Sequence, residues 1–230
     1  MINYFNEEDA DKNFKRQIDR RKDPSPDYHP VIQAINEYPI KYKNILEVGA
    51  GNGCTLTKIQ TLTKAKCVGI DPGEEAIKYG KEKFKNINLI KSNSDNLLNL
   101  FKPQTFDLII FGSVLFHINP EKILKTLGFA DELLVDEGFL LIWDLYSKQP
   151  HKTIYKHSKD VFCWKFDQQS ILDNLPHFHR IYFKTLWYKD DKYAKEELFD
   201  LKTAHYISIH KKSRELSFPL GEDPSIIKNS

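Results

Sequence analysis

Cysteines and long apolar runs are both scarce in this sequence. The 230 residues include three cysteines, Cys54, Cys67 and Cys163, and none has the CxxC spacing of a metal site. Three thiols make no disulfide framework, which predicts reduced cysteines and a cytoplasmic protein. The first residues lack a basic region followed by an apolar one, so no secretory signal is predicted. Because no apolar stretch approaches the roughly 20 residues that span a bilayer, we expect no membrane partner.

An excess of one charge is also missing. The 34 lysines and arginines are nearly balanced by 32 acids, which gives a net charge of +2. That balance disfavours general nucleic-acid binding. Basic residues do concentrate at 12–22, where a phosphate- or nucleic-acid-binding segment is an alternative to a solvated helix face. The chain is long enough to bury a sizeable core in one large domain, with or without appendages.

Apolar runs alternate with helical signals between residues 44 and 145. The predicted strands lie at residues 44–48, 67–70, 88–90, 106–111 and 138–143. Helices are predicted between them, and the last starts at the cap-like triplet 119–121 and runs to about Val135. Fully apolar strands that alternate with helices predict a parallel sheet covered on both faces.

The rhythm changes after Leu145. A long polar loop is predicted at 146–166, followed by a short helix near 167–175. Two strand-like runs follow, at 178–188 and 203–210, and such a pair would add an antiparallel edge to the sheet. The predicted fold is therefore an α/β three-layer sandwich with a mostly parallel, seven-stranded sheet and an antiparallel C-terminal strand.

The strongest motif lies where the first strand ends. Residues 45–48 deliver the chain to the glycine-rich turn 49–53, and a helix follows. Glycines allow a tight turn and let a ligand approach without a Cβ in the way, at the strand ends where α/β sheets bind ligands. A dinucleotide fingerprint has the spacing GxGxxG/A. Here the spacing is GxGxG, Cys54 replaces the third small residue, and Glu47 suits a cation better than pyrophosphate, so a nucleotide oxidoreductase is disfavoured.

The pattern ExGxGxG at residues 47–53 resembles motif I of the class I S-adenosylmethionine-dependent methyltransferases. The resemblance extends over roughly residues 40 to 145. It implies a Rossmann-like sandwich, S-adenosylmethionine as the cofactor and S-adenosylhomocysteine as its product. In the motif itself, it assigns to the cofactor site Glu47, Gly49, Ala50, Gly51 and Asn52.

Later strand ends continue the resemblance. Asp71 closes the second strand, where the family places an acid on the ribose hydroxyls, and Pro72 would lie by the adenine ring. Residues 92–97 resemble the loop that borders the adenine edge, although Asn93 stands where that pattern has an acid. Residues 113–117 resemble the strand-four motif, whose loop borders the methionine end of the cofactor. These loops assign to the cofactor site Asp71, Pro72, Asn93, Ser94, Asp95 and Ser113.

Methyl transfer from a sulfonium is an in-line displacement with a neutral leaving group. The enzyme's main task is then to align the reactants and exclude water. A base is needed only if the acceptor atom carries a proton. The candidate catalytic residues are His117, just past strand four, and Asp144, at the end of strand five. Each could instead be a packing or capping residue.

The absence of several motifs narrows the range of possible methyl acceptors. The end of strand four reads GSVL at residues 112–115, which lacks the [DNS]PP[YFW] motif and the nucleophilic cysteine of two nucleic-acid-methylating classes. No acid cluster predicts a metal site. By elimination, a small molecule such as a saccharide or another secondary metabolite is the leading acceptor. The alternatives are an RNA- or protein-modifying methyltransferase and a non-catalytic binder of the cofactor. The oligomeric state stays open.

Two segments are candidates for a lid over the acceptor. One is the N-terminal helical segment 1–38, in which Tyr28 and His29 could lie over the cofactor. The other is 146–166, whose aromatic side chains, Tyr155 and His157 among them, alternate with cations. The predicted division of the chain is a lid segment at 1–38, a methyltransferase domain at 39–212 and a C-terminal tail at 213–230.

Overall fold

A twisted eight-stranded sheet organises the chain. The computed structural model describes residues 4–147, 149–155, 157–158, 161–189, 192–194 and 204–215. Its strands are β1 (Asn44–Val48), β2 (Lys66–Asp71), β3 (Asn88–Lys91), β4 (Phe106–Gly112), β5 (Leu134–Leu145), β6 (His151–Ile154), β7 (Phe162–Lys165), β8 (Phe178–Lys189), β9 (Lys192–Ala194) and β10 (Ala204–Lys212). The sheet has the order β3-β2-β1-β4-β5-β10-β8-β9, and β6 pairs with β7 in a separate hairpin.

Strand directions agree with the predicted α/β fold. The strands β1 to β5 pair in parallel, whereas β10 runs antiparallel to both of its neighbours, β5 and β8. The short β9 only extends β8 by a hairpin. Apart from that extension, the mostly parallel seven-stranded sheet with an antiparallel C-terminal strand is confirmed.

Helices cover both faces of the sheet. They are α1 (Glu7–Gln17), α2 (Pro30–Glu37), α3 (Cys54–Thr63), α4 (Glu74–Lys83), α5 (Leu97–Leu100), α6 (Pro120–Leu133) and α7 (Gln169–Asp173). Successive residues of a strand point to opposite faces. Ile45 accordingly packs in the same core as α2, α3 and α4, and Leu46 in the core with α5, α6 and α7. The result is the predicted three-layer sandwich.

The strand order reverses at β1, since β2 and β4 lie on its two sides. From β1 the chain continues to β2 and β3 on one side, and it later returns to β4 and β5 on the other side of β1. Crossovers that depart to opposite sides open a crevice at the carboxyl ends of the strands. The loops after β1, β2 and β4 meet in that crevice.

Some predicted boundaries were wrong. The segment 146–166 was expected to be a loop, but the structure forms the β6–β7 hairpin within it. Strand β5 was predicted to begin at Gly138, but it begins at Leu134. Glu137 lies inside the strand with a left-handed φ of +63°, and the pairing with β4 shifts register there. The predicted strand residue Thr203 and tail residues 216–230 lie outside the described residues. In the described part of the chain, no helix has the length and apolar character to cross a membrane.

Candidate active site

A cavity of about 1280 Å³ opens where the loops after β1, β2, β3 and β4 meet. Every residue predicted for the cofactor or for catalysis lines it, except Asn52 and Asp144. The lining residues among those predicted are Glu47, Gly49, Ala50, Gly51, Asp71, Pro72, Asn93, Ser94, Asp95, Ser113 and His117. The sheet thus brings together side chains from four strand ends that are distant in sequence.

The glycine-rich turn forms the floor of the cavity. Gly49 and Gly51 have φ angles of +78° and +55°, a region that side-chain-bearing residues rarely adopt. A Cβ on Gly49 would lie 2.6 Å from Val114 Cγ2, and one on Gly51 would lie 2.7 Å from Arg21 Nη1. Backbone shape therefore favours glycine at both positions, and Val114 and Arg21 occupy the space in which a Cβ would stand.

Asp71 joins the loops that follow β1 and β2. Its carboxylate accepts hydrogen bonds of 2.8 Å from the backbone N–H groups of Gly51 and Gly73. Burial raises the pKa of Asp71 above its ordinary value, although these two N–H groups and Arg21 oppose the rise. The carboxylate therefore fixes the shape of the floor and also lines the cavity.

Glu47 is a buried carboxyl group without a full set of partners. It is 4% exposed, and among the described residues its Oε2 atom has no hydrogen-bond partner. Burial raises the pKa of Glu47 to about 8, the nearby Arg21 lowers it, and Asp71 adds to the rise. Buried polar atoms are almost always hydrogen-bonded. An unsatisfied acceptor in the wall of a cavity indicates a ligand with a donor or a cation.

Arg21 is a site residue that the sequence analysis missed. A short 3-10 turn, Ile18–Arg20, follows α1 and bends the chain so that Arg21 reaches the floor. Its Nε donates to Gln17 Oε1 at 3.0 Å. Its positive charge also acts on the ionisation of both Glu47 and Asp71. In the sequence it was one of several basic residues, and nothing distinguished it from the rest.

Asn52 does not face the cavity, contrary to the prediction. It is fully buried, its Nδ2 donates to the carbonyl of Arg21 at 2.6 Å, and its Oδ1 accepts from the N–H of Cys54. The amide therefore ties the N-terminal segment to the glycine-rich turn. The side chain of Asn52 thereby positions Arg21.

Asp144 is likewise withdrawn from the cavity. It is fully buried, and its oxygens accept backbone N–H bonds from Val114, Leu115 and Leu145. Burial raises the pKa of Asp144 to about 7 against the effect of these bonds. The carboxyl group holds the loop after β4, in which Ser113 adopts a left-handed φ of +60°. These bonds support the alternative that Asp144 is a capping residue, because the loop itself occupies its oxygens; a catalytic role for Asp144 stays a prediction.

Replacing Asp144 with asparagine should lower the free energy of unfolding by about 2 kcal/mol, since an amide NH₂ would face backbone donors. Urea denaturation of the purified protein measures this loss. Asp19→Asn, which changes an exposed residue of the 3-10 turn, is the matched control and should have little effect. Equal stability of the two variants would contradict the assignment.

His117 lies in a cluster of rings. Its imidazole stacks on Phe5 with 4.1 Å between ring centroids and meets the edge of Tyr155 at 4.9 Å. Burial, aided by the charge of Arg16, lowers the pKa of His117 to about 3. A histidine with its ordinary pKa of 6.5 can act as a base at neutral pH. The structure instead gives a neutral ring that is a weak base at pH 7.

Both candidate lid segments line the cavity. Helix α1 is held along α4 by the ion pair Lys15–Glu75 at 2.7 Å, and the hairpin side contributes Tyr155 and His157. Arg16 on α1 donates to the hydroxyl of Tyr155 at 2.8 Å. The two segments therefore meet over the cavity.

Comparisons with known proteins agree with this geometry. A model of the family described as a methyltransferase domain matches residues 41–198. An uncharacterised methyltransferase of Alkaliphilus oremlandii (strain OhILAs) is 27% identical over 108 residues, which are 46% of this chain and 48% of that protein. The matched region thus spans about half the length of this curated relative.

Solved structures show the same fold. The Burkholderia thailandensis 1,6-didemethyltoxoflavin-N1-methyltransferase superposes with a TM-score of 0.65 at 15% identity, over 90% of this chain and 87% of that one. A methyltransferase dependent on S-adenosylmethionine from Anabaena variabilis gives 0.64 at 13% identity, over 92% and 98%. Since the family model covers more than half of the chain, the protein belongs to the family of S-adenosylmethionine-dependent methyltransferase domains.

Proposed function

We propose that this protein transfers the methyl group of S-adenosylmethionine to a small-molecule acceptor by in-line displacement. The observation that carries the proposal is the partnerless Oε2 of Glu47 in the cavity wall, next to a turn that has no room for a Cβ. A buried acceptor beside an open floor fits a cofactor that has a cationic amino-acid end.

The lining residues fit each part of this cofactor. Glu47 would accept from the ammonium group of its methionine end, and Arg21 would pair with the carboxylate of that end. Asp71 would accept from the ribose hydroxyls, and Pro72 and the loop 93–95 would border the adenine. Bound there, S-adenosylmethionine supplies an electrophilic methyl group on a sulfonium whose leaving group is a neutral thioether.

The remaining residues align the acceptor and keep water out. The rings of Phe5, His117 and Tyr155 cover the cavity beside the loop after β4. His117 stays neutral, so it can hydrogen-bond an acceptor without competing for its proton. Such a role agrees with a reaction whose rate depends on alignment and desolvation.

A small molecule fits the cavity better than a nucleic acid does. Two lysines of the basic N-terminal segment are already paired within the chain, Lys12 with Glu8 and Lys15 with Glu75. Both lid segments narrow access to the floor. The Burkholderia thailandensis relative was solved with 1,6-didemethyltoxoflavin and S-adenosylhomocysteine bound. These observations support a small acceptor over RNA or protein.

Calorimetric titration with S-adenosylhomocysteine tests the cofactor site. Wild-type protein should bind it, and Asp71→Ala should weaken binding by about 1–3 kcal/mol because charged hydrogen bonds that shape the floor are lost. The matched control is Asp107→Ala. Asp107 also accepts two backbone N–H bonds, from Lys43 and Asn44, but at the opposite edge of the sheet.

The control variant should lose stability without losing affinity for S-adenosylhomocysteine. If folded wild-type protein showed no binding, or if Asp107→Ala weakened binding as much as Asp71→Ala, the site assignment would fail. A parallel titration with total tRNA tests the alternative acceptor. Tight binding that weakens steeply with salt would favour an RNA-modifying enzyme.

A further inference from the structure

A guanidinium group with neutral partners stands at the acceptor end of the cavity. Arg16 Nη2 donates to Asn13 Oδ1 at 2.7 Å and to the hydroxyl of Tyr155 at 2.8 Å. Neither partner carries a negative charge. Arg16 lines the cavity, and its charge reaches the imidazole of His117. The positive charge is therefore available to a ligand.

The carboxyl groups of the described lining lie elsewhere. Two belong to the floor at the glycine-rich turn, and two are paired with lysines. They are Glu47 and Asp71 at the floor, Glu7 with Lys91, and Asp95 with Lys122. The acceptor end consequently has a positive potential, which favours a negatively charged ligand.

Flat apolar surfaces surround this charge. Phe5, His117 and Tyr155 contact one another through stacked and edge-on rings, with centroid separations of 4.1 to 5.9 Å. Phe116 adds a fourth ring, 3.9 Å from that of His117. Aromatic side chains in such clusters pack well against other planar ring systems.

Neither of the two candidate catalytic residues is placed to remove a proton at this end. His117 is a weak base in its buried position, and the oxygens of Asp144 are turned into the loop after β4. Glu47 lies at the floor, where the proposed contact with the ammonium group of the cofactor occupies it. An acceptor that arrives already ionised needs no help from these residues.

On the basis of the proposed methyl transfer, we propose that the acceptor is a planar aromatic or heteroaromatic acid bound as its anion, with its ring on the Phe5–His117–Tyr155 cluster and its negative charge facing Arg16. A lone pair of the anion forms the new bond to the methyl carbon. The carbon–sulfur bond breaks, and its electron pair stays on sulfur. An anion and a cation thus give a neutral methylated product and a neutral thioether, with no proton left to remove.

Three probe ligands distinguish the effect of ligand charge on binding from the effect of ligand shape. Each is titrated into protein saturated with S-adenosylhomocysteine. They are 2,4-dinitrophenolate, a planar anion; 2,4-dinitroaniline, its neutral planar counterpart; and cyclohexanecarboxylate, an anion that is not planar. By calorimetry, we expect the phenolate to bind at least about tenfold more tightly than either of the others, since a charged hydrogen bond contributes on this scale.

Variants of Arg16 test the origin of that preference. Arg16→Gln should bind the phenolate and the aniline about equally, and Arg16→Lys should keep part of the preference because it keeps the charge. Arg180→Gln is the matched control. Arg180, which lies on β8, pairs with Asp173 at the end of α7 and does not line the cavity. This variant should therefore bind as wild type does.

The outcomes distinguish the two proposals. If wild-type protein bound no S-adenosylhomocysteine, the proposed function would fail, and the acceptor assignment with it. If the product bound but the phenolate showed no advantage, or kept its advantage in Arg16→Gln, only the acceptor assignment would be overturned. Arg16→Lys decides the matter if the glutamine variant does not fold.

Discussion

Replacing Gly51 with valine is expected to abolish binding of S-adenosylhomocysteine. Gly51 has a φ of +55°, and a β-branched residue held there costs on the order of 1–3 kcal/mol. Its Cβ would also lie 2.7 Å from Arg21 Nη1, so the guanidinium would have to leave the floor. Together the two effects should weaken binding about a hundredfold or more, which is roughly 3 kcal/mol. Calorimetry on folded protein measures the change.

A second glycine supplies the control for this experiment. Gly128 lies on the exposed side of α6, and a Cβ there would meet nothing within 4 Å. Gly128→Val should therefore bind S-adenosylhomocysteine as wild type does. Gly51→Ala, which adds the Cβ alone, should fall between the two. If Gly51→Val kept an affinity within about threefold of wild type, a difference of under 1 kcal/mol, the glycine-rich turn would not be the floor of the site.

The contribution of Glu47 to the stability of the ligand-free protein is expected to fall as the pH rises from about 5 to 8. Folded Glu47 keeps its proton up to a pKa of about 8, whereas the unfolded chain releases it near the ordinary value of 4.5. As the pH rises, Glu47 therefore loses its proton in the unfolded state at a lower pH than in the folded state, and the unfolded state is stabilised relative to the folded one. Over the whole range the loss due to Glu47 should be about 3–5 kcal/mol. Urea denaturation at several pH values measures it.

Glutamine at position 47 removes the titrating group but keeps the shape of the side chain. The Glu47→Gln variant should have a flatter dependence of unfolding free energy on pH than wild type. Its remaining dependence combines two opposing effects: Asp144, with a pKa of about 7 against an ordinary 3.8, acts with the same sign as Glu47, and His117, with a pKa lowered to about 3, acts with the opposite sign. Glu132→Gln, at an exposed position on α6, should follow wild type. Identical slopes for wild type and Glu47→Gln would contradict the buried, protonated state.

The sheet and the floor of the cavity were predictable from the sequence because local signals coincide there. Runs such as 106–111 are apolar throughout, as strands buried on both faces must be. Gly49 and Gly51 mark the turn, and Asp71 marks the next strand end. Since carboxyl ends of parallel strands meet at one edge, residues far apart in the chain could be assigned to one site before their contacts were known.

Other features depend on contacts that leave no local signal. Arg16 and Arg21 line the cavity only because α1 lies against α4 and the chain bends after it. A run of basic residues in the sequence has the same appearance whether or not it is packed in this way. The roles of Asn52 and Asp144 depend on which backbone N–H groups lie beside them. The hairpin of β6 and β7 consists of two four-residue strands with mixed polarity, which gave no periodic pattern.

The position of β10 bears on how the molecule is made. In the chain β10 follows β8, yet in the sheet it lies between β5 and β8, and Tyr206, Ile207 and Ile209 on it are almost fully buried. On the ribosome, β8 therefore emerges before residues 204–212, which form the strand that joins it to the rest of the sheet. Until then β5 keeps an unpaired edge, and unpaired edges recruit other strands. The nascent chain thus has a vulnerable interval that ends only when its last described strand is inserted.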